Sequence, residues 1–330
     1  MVKTISFFIS ITLLLASVCL FLPSCSQATV YSEGDGELNV LCTSFAPFDF
    51  VREVGGDRVT VSILQDSGAD LHNYTPTAAT LEAISGADVF VYIGGSSDEG
   101  WLPDALRAAG NDDLITLCLM DSVSQVHAEL ENDWDEHDHA EDHHNGHGHD
   151  GHDHGADEHI WTSVKNAALM VDAIKDVLCQ ADPEGVTTYS VRAEVYKHKL
   201  GSLDEQLTAL AEDIPVMLFA DRFPFVYLLH DYHIPYKAAF SGCSTETNSG
   251  FEVQVDLIKT VREHDLPCIF VIEGGDKHLA DAIADEVDCK IYSLDSMQSV
   301  KRSDIESGIN YIDVMQKNID TLKEAYYGSN

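Results

Sequence analysis

The chain has 330 residues, 56 acidic against 19 basic side chains, a formal net charge of −37 and 45% hydrophobic residues. Length and apolar content allow two domains with cores of their own. The negative charge, with no basic cluster anywhere, excludes a nucleic-acid binder, which needs cationic side chains to displace the counterions of phosphate.

Lys3 precedes an apolar run from Ile5 to Leu22, followed by Pro23-Ser24-Cys25. A basic start, an apolar stretch and a small residue before a cut make a secretory signal, expected over residues 1–24. Leu22-Pro23-Ser24-Cys25 resembles a bacterial lipobox, with Pro23 a departure from the usual small or hydroxylated residue. Cys25 is then the lipidation site, and residues 25–36 form a lipid-anchored stalk. An uncleaved anchor is the alternative, since about 18 apolar residues approach a spanning length. Either way the folded part lies outside the cytoplasmic membrane and is tethered to it.

Short β-branched or apolar runs at Leu38–Thr43, Arg58–Leu64, Asp88–Ile93 and Leu114–Leu119 predict strands. Helix patterns lie between them at Pro47–Val54, Pro76–Ser85 and Pro103–Ala109, with Pro76 suited to a first turn. Strands alternating with helices predict a mainly parallel sheet covered by helices, a lobe over residues 37–182.

A tract within the loop 129–158 interrupts this pattern. From Glu136 to His159 it reads EHDHAEDHHNGHGHDGHDHGADEH, with nine histidines, many carboxylates and almost nothing apolar. Such a segment cannot bury a core. Neutral imidazole is a preferred ligand of zinc, copper and nickel, and carboxylates fill remaining coordination positions. The spacing is irregular, unlike HExxH, so the tract reads as a loose metal collector and not as one rigid site.

Two helices follow, Ser163–Ala181 and a linking helix over 183–213, in which Val191, Val195, Leu200, Leu203, Leu207 and Leu210 make an interrupted apolar stripe. Strands are expected at Pro215–Phe219, Tyr236–Phe240, Pro267–Ile272 and Lys290–Ser293. Helices are expected at Pro224–Asp231, Phe251–His264, Lys277–Glu286 and Ile305–Glu324, completing a second α/β lobe over 214–330. Six cysteines outside the export segment (Cys42, Cys118, Cys179, Cys243, Cys268 and Cys289) form no CxxC pair and are expected as buried thiols.

Ligands of open α/β sheets bind just beyond the carboxyl ends of strands. Three groups fall at such places: Asp70-Leu71-His72-Asn73-Tyr74, Asp157-Glu158-His159-Ile160-Trp161, and the acids Asp221, Glu246, Glu273 and Asp276. His198, His230, His233, His264 and His278 read as surface or satisfied residues.

DLHNYTPT is similar to the D-P-H-x-Y-E-P-T segment of the zinc and manganese solute-binding proteins of ABC importers. DEHIWTSVKNA resembles their D-P-H-x-W-L-x-P-x-x-A segment, with further echoes near Thr43, Trp101 and YIDVMQKNIDTLKEA. The resemblance spans nearly everything from Asn39 to Ala325. It implies two α/β lobes joined by a long rigid helix, a metal in the cleft between them, and His72 and His159 as ligands. A histidine-rich loop before the second ligand is associated in this family with zinc. The family's third ligand falls on Ala220, which has no donor, so Asp221 replaces it here, with Glu246 second. The fourth falls on Glu273, with Asp276 second.

The function so implied is an extracytoplasmic receptor, monomeric, that binds Zn2+ as its transported ligand and delivers it to an ABC permease and its ATPase. The alternatives are a manganese receptor of the same class, or an extracellular zinc buffer or adhesin. No HExxH or GxSxG motif speaks for an enzyme.

Overall fold

A computed structural model describes residues 30–64, 74–124, 126, 157–240 and 250–328. The signal segment, Cys25, His72, Cys243, Glu246 and the tract from Glu136 to Gly155 lie outside the described residues.

Five strands build the first sheet: β1 (Tyr31–Glu33), β2 (Leu38–Cys42), β3 (Val59–Ile63), β4 (Val89–Tyr92) and β5 (Ile115–Cys118). Their order is β1-β3-β2-β4-β5, parallel except for β1. β1 corrects the expectation of a stalk reaching residue 36. The Tyr31 ring lies 6.0 Å from that of Phe48, and Glu33 pairs with Arg52 at 3.3 Å. Three residues are too few to display a strand period, so only the pairing with β3 reveals this edge.

The helices of this lobe are α1 (Phe45–Gly55), α2 (Ala78–Ser85), α3 (Ser96–Glu99), α4 (Leu102–Ala109) and α5 (Leu119–Ser122). α2 starts after Pro76, not on it. The Thr77 hydroxyl accepts the Thr80 N–H at 3.3 Å, and the Thr80 hydroxyl accepts the Thr77 N–H at 2.9 Å, which makes Thr77 the cap.

A single 3-10 turn, Ile160–Thr162, leads into α6 (Val164–Ala181), and α7 (Val186–Ala211) follows after Asp182-Pro183. The 26 residues of α7 make a rod of about 39 Å. Its buried face is Tyr189, Ala193, Tyr196, Leu200, Leu203, Leu207 and Leu210, a regular 4-3 spacing. Val191 and Val195, expected in that stripe, are instead 58% and 54% exposed. The helical period starting from Leu200 reaches Tyr196 and Ala193, and so rotates both valines outward.

The second sheet comprises β6 (Met217–Phe219), β7 (Tyr236–Ala238), β8 (Cys268–Ile272) and β9 (Lys290–Leu294), all parallel in the order β7-β6-β8-β9. Its helices are α8 (Val226–Asp231), α9 (Phe251–His264), α10 (His278–Val287), α11 (Arg302–Glu306) and α12 (Tyr311–Tyr327). The single helix expected over Ile305–Glu324 is therefore two. Gly308, at φ +90°, takes a conformation that side-chain-bearing residues rarely adopt and breaks it.

Taken in chain order, the parallel strands of both sheets run 2-1-3-4, so the two lobes repeat one topology without an internal sequence repeat. One core joins them. The inner faces of both sheets pack on a shared layer of α1, α6, α7 and α12, while separate clusters fill the outer faces beneath α2 and α4, and beneath α9 and α10. Asp49, wholly buried, ties the layer together by accepting the Tyr196 hydroxyl at 3.0 Å, the Tyr311 N–H at 2.9 Å and the Arg52 guanidinium. Among the described cysteines Cys42 and Cys268 are buried as expected, whereas Cys118, Cys179 and Cys289 are only half-buried, and all five are free thiols.

Candidate metal centre

In a 2-1-3-4 sheet the connections diverge between strands 1 and 3, which leaves a crevice at their carboxyl ends. In the first lobe that point lies between β2 and β4, where Thr43 donates its N–H to the Val91 carbonyl at 3.1 Å. Gly94 and Gly95, at φ +95° and +86°, turn the chain sharply out of β4. A Cβ on Gly95 would stand 3.0 Å from the Glu158 side chain, so the missing side chain leaves room for the segment that carries His159.

Glu158 is fixed there by the Ser97 N–H at 3.1 Å and by the Ser97 hydroxyl. Asp98 beside it accepts the Gly94 N–H at 2.9 Å. Burial, with the Glu158 carboxylate adding to it, pushes the Asp98 carboxyl up to about 6.

His159 is 2% exposed. Its Nδ1 and its backbone N–H both point at Oδ1 of Asp157, each at 2.9 Å. A carboxylate accepts, so Nδ1 carries the proton, and Nε2 is the ring nitrogen through which a metal would be bound. The imidazole meets the Trp161 ring edge-on, with centroids 5.3 Å apart.

In the second lobe the equivalent crevice lies between β6 and β8, and Asp221 and Glu273 stand at those two strand ends. Asp221 accepts the Arg222 N–H at 2.8 Å and the Ile272 N–H at 3.2 Å, one on each oxygen. It lies beneath Gly275, where a Cβ would come within 1.8 Å of Oδ2. Glu273 accepts the Ser296 N–H at 2.7 Å and the Ser296 hydroxyl at 2.6 Å, again one on each oxygen. Burial first, and then the Asp295 carboxylate, push its carboxyl up to about 7 against the pull of the Ser296 hydrogen bonds. Asp276 is exposed and caps the next turn, accepting the His278 N–H at 3.0 Å. Ala220 is buried in the outer core with Val216 and Leu218.

Asp295, just past β9, was not singled out from the sequence. One oxygen accepts the Met297 N–H at 2.9 Å, and burial raises its carboxyl. Its only signal in the chain was a position directly after a strand. Among the described residues no group of three or more histidine, cysteine, aspartate or glutamate side chains stands together as a metal cage. The Trp161–Ser296 hydrogen bond thus links the segment of His159 to the strand ends that carry Glu273 and Asp295, while Asp276 is exposed and acts on Asp221.

Two lobes of one topology sharing a helical core, joined at the cleft by the Trp161–Ser296 hydrogen bond, define a helix-bridged, two-lobed binding-protein fold. Residues 40–325 match the model of the family described as zinc-uptake complex component A, periplasmic, and the chain belongs to that family. It is 31% identical over 316 residues to the zinc-binding lipoprotein AdcA of Streptococcus pneumoniae (strain R6), which covers 95% of this chain and 60% of AdcA. The chain thus spans about 60% of the length of those streptococcal relatives. It is 27% identical to the high-affinity zinc uptake system protein ZnuA of Bacillus subtilis, covering 92% of this chain and 91% of that one. In structure it is similar to the Zn(II)-bound ZnuA-like domain of S. pneumoniae AdcA, with a TM-score of 0.66 at 26% identity, over 88% of this chain and 99% of that domain. The metal-dependent lipoprotein YcdH of B. subtilis shares the fold, with a TM-score of 0.68 at 23% identity, over 88% and 99% of the two chains.

Proposed function

We propose that this chain is an extracytoplasmic receptor, tethered through Cys25, that binds Zn2+ in the interlobe cleft and hands it to an ABC permease. The observation that supports this most directly is His159: a buried imidazole, its tautomer set by Asp157, at the junction of the two lobes. An oriented imidazole of this kind is how proteins prepare a zinc ligand. The relatives whose names specify zinc support zinc as the cargo.

In this reading His72 and His159 are the nitrogen donors and the second lobe supplies carboxylate. Asp221 and Glu273 each have both oxygens taken up by hydrogen bonds, and burial raises the Glu273 carboxyl to about 7. Asp295 has an oxygen to give, so we place it in the ligand set ahead of Glu273, with Asp221 as the support that joins β6 to β8. The tract from Glu136 to Gly155 is a low-specificity collector that raises the local concentration of zinc.

Isothermal titration calorimetry tests the assignment. His72→Ala with His159→Ala abolishes tight Zn2+ binding, Asp295→Asn weakens it, and deletion of residues 136–155 preserves it. Loss of the tight site on deletion of the tract, with the double variant intact, would falsify the cleft site. Competition with Mn2+ decides the cargo ion, for which imidazole donors favour zinc.

A further inference from the structure

The segment from Asp157 to Trp161 belongs by chain order to the first lobe, yet three groups of the second lobe hold it. The Tyr227 hydroxyl donates to the Asp157 carbonyl at 2.7 Å, the Trp161 indole N–H donates to the Ser296 carbonyl at 2.8 Å, and the Tyr311 hydroxyl donates to the Trp161 carbonyl at 2.8 Å. Trp161 has two contacts that matter here. Its ring lies edge-on to the His159 imidazole, and its N–H holds the residue next to Asp295.

The far end of that hydrogen bond is rigid. Ser296 is fully buried, and Glu273 holds it on both its N–H and its hydroxyl. Asn318 clasps Asp295 from α12, accepting its N–H and donating to its carbonyl, both at 2.8 Å. Met297 sits at φ +61°, a conformation that costs a non-glycine residue free energy and persists only where its surroundings enforce it. These contacts fix the Asp295 backbone, and the Met297 N–H holds one oxygen of its carboxylate at 2.9 Å.

We propose that Trp161 is a positioning residue that fixes the spacing between His159 and Asp295, and so tunes the affinity and donor geometry of the cleft. This rests on the reading of the cleft as a zinc site with those two donors. Zinc requires ligands at about 2.0 to 2.2 Å in tetrahedral array, so a small drift of one lobe's donor against the other's weakens binding. Removing a group that orients a ligand costs 10- to 100-fold in metal affinity in other proteins.

Trp161→Phe keeps an aromatic edge against His159 while deleting the indole N–H together with part of the ring's volume. In the full chain we expect Zn2+ affinity, measured by chelator competition, to fall about tenfold or more. We also expect the visible absorption bands of the protein loaded with Co2+ alone to shift, since they report donor geometry and a merely structural role would leave them in place. Tyr311→Phe loosens Trp161 at its carbonyl and moves both readouts in the same direction. It carries the test should Trp161→Phe fail to fold. Parental affinity and parental Co2+ bands in the folded variants overturn the proposal. His159→Ala, measured alongside, separates the two readings. If it keeps tight Zn2+ binding, the cleft site itself is wrong; if it loses binding while Trp161→Phe does not, only the positioning role falls.

Discussion

The hydroxyl of Tyr311 lies 2.8 Å from the carbonyl oxygen of Trp161, although 150 positions separate the two residues. This bond joins the last helix to the segment that carries His159, and both partners are buried. Tyr311→Phe leaves the Trp161 carbonyl without its donor, at a cost of about 1–3 kcal/mol. Chemical denaturation, with an unchanged m-value, measures the loss. A variant as stable as the parent shows that the bond adds nothing.

Asp49 is the larger stake. Its carboxylate is wholly buried among the Arg52 guanidinium, the Tyr196 hydroxyl and the Tyr311 N–H. Asp49→Ala strands all three donors, and removing one partner of a buried ion pair costs roughly 3–5 kcal/mol. Asp49→Asn retains an acceptor and costs less. Equal losses for the two variants, measured by urea unfolding, refute the hydrogen-bond account.

The two faces of α7 differ sharply in what substitution does to them. Leu203→Ala and Leu207→Ala remove buried methyl groups at about 2–5 kcal/mol each. Val191→Ala and Val195→Ala, on the exposed face, stay within about 0.5 kcal/mol. Thermal unfolding of the four single variants ranks them. A valine variant as damaging as a leucine variant contradicts the orientation of the helix.

Gly275 owes its identity to Asp221. A methyl group there meets Oδ2 at 1.8 Å, so Gly275→Ala displaces either the β8–α10 loop or the carboxylate that joins β6 to β8. Lower stability and weaker Zn2+ binding should appear together. Affinity unchanged in a fully stable variant removes Asp221 from the supporting structure of the cleft.

Asp182 makes an acid-sensitive tie between the lobe and the start of α7. It receives Arg58 Nε and Nη2 at 2.7 and 2.9 Å and the Tyr189 hydroxyl at 2.6 Å. The Arg58 hydrogen bonds, and then that of Tyr189, draw its carboxyl down to about 2 from the ordinary 3.8. A depressed carboxyl stabilises the folded state fully above its unfolded value and loses that contribution as pH falls through the folded value. Melting temperature should therefore drop between about pH 4 and pH 2, and Asp182→Asn should flatten that slope. Identical slopes in the two proteins exclude Asp182 as the source.

Several features were legible in the chain itself. Apolar runs such as Val89–Tyr92 and Cys268–Ile272 announce strands because both faces are buried. The Asp157–Trp161 motif stood out as a segment of interest, and its Asp157 carbonyl and Trp161 N–H bond to the second lobe. The use of each acid was not legible. Glu273, expected as a ligand, spends both oxygens on a serine 23 positions later, and Asp295 was passed over. Nothing local to either residue distinguishes a carboxylate that binds backbone from one with an oxygen to spare.

By itself the chain determined two alternating α/β halves, a stiff helix between them, a histidine-rich acidic tract and the family it resembles. Those follow from periodicity, composition and short motifs, whose physics acts over a few residues. Tertiary structure alone decided that the edge strand starts at Tyr31, which face of α7 is buried, that the two lobes share one core, and how Trp161 reaches Ser296. Each of these depends on groups tens to hundreds of positions apart finding hydrogen-bond partners in a closed interior, where burial makes an unmatched polar atom costly and so selects one arrangement.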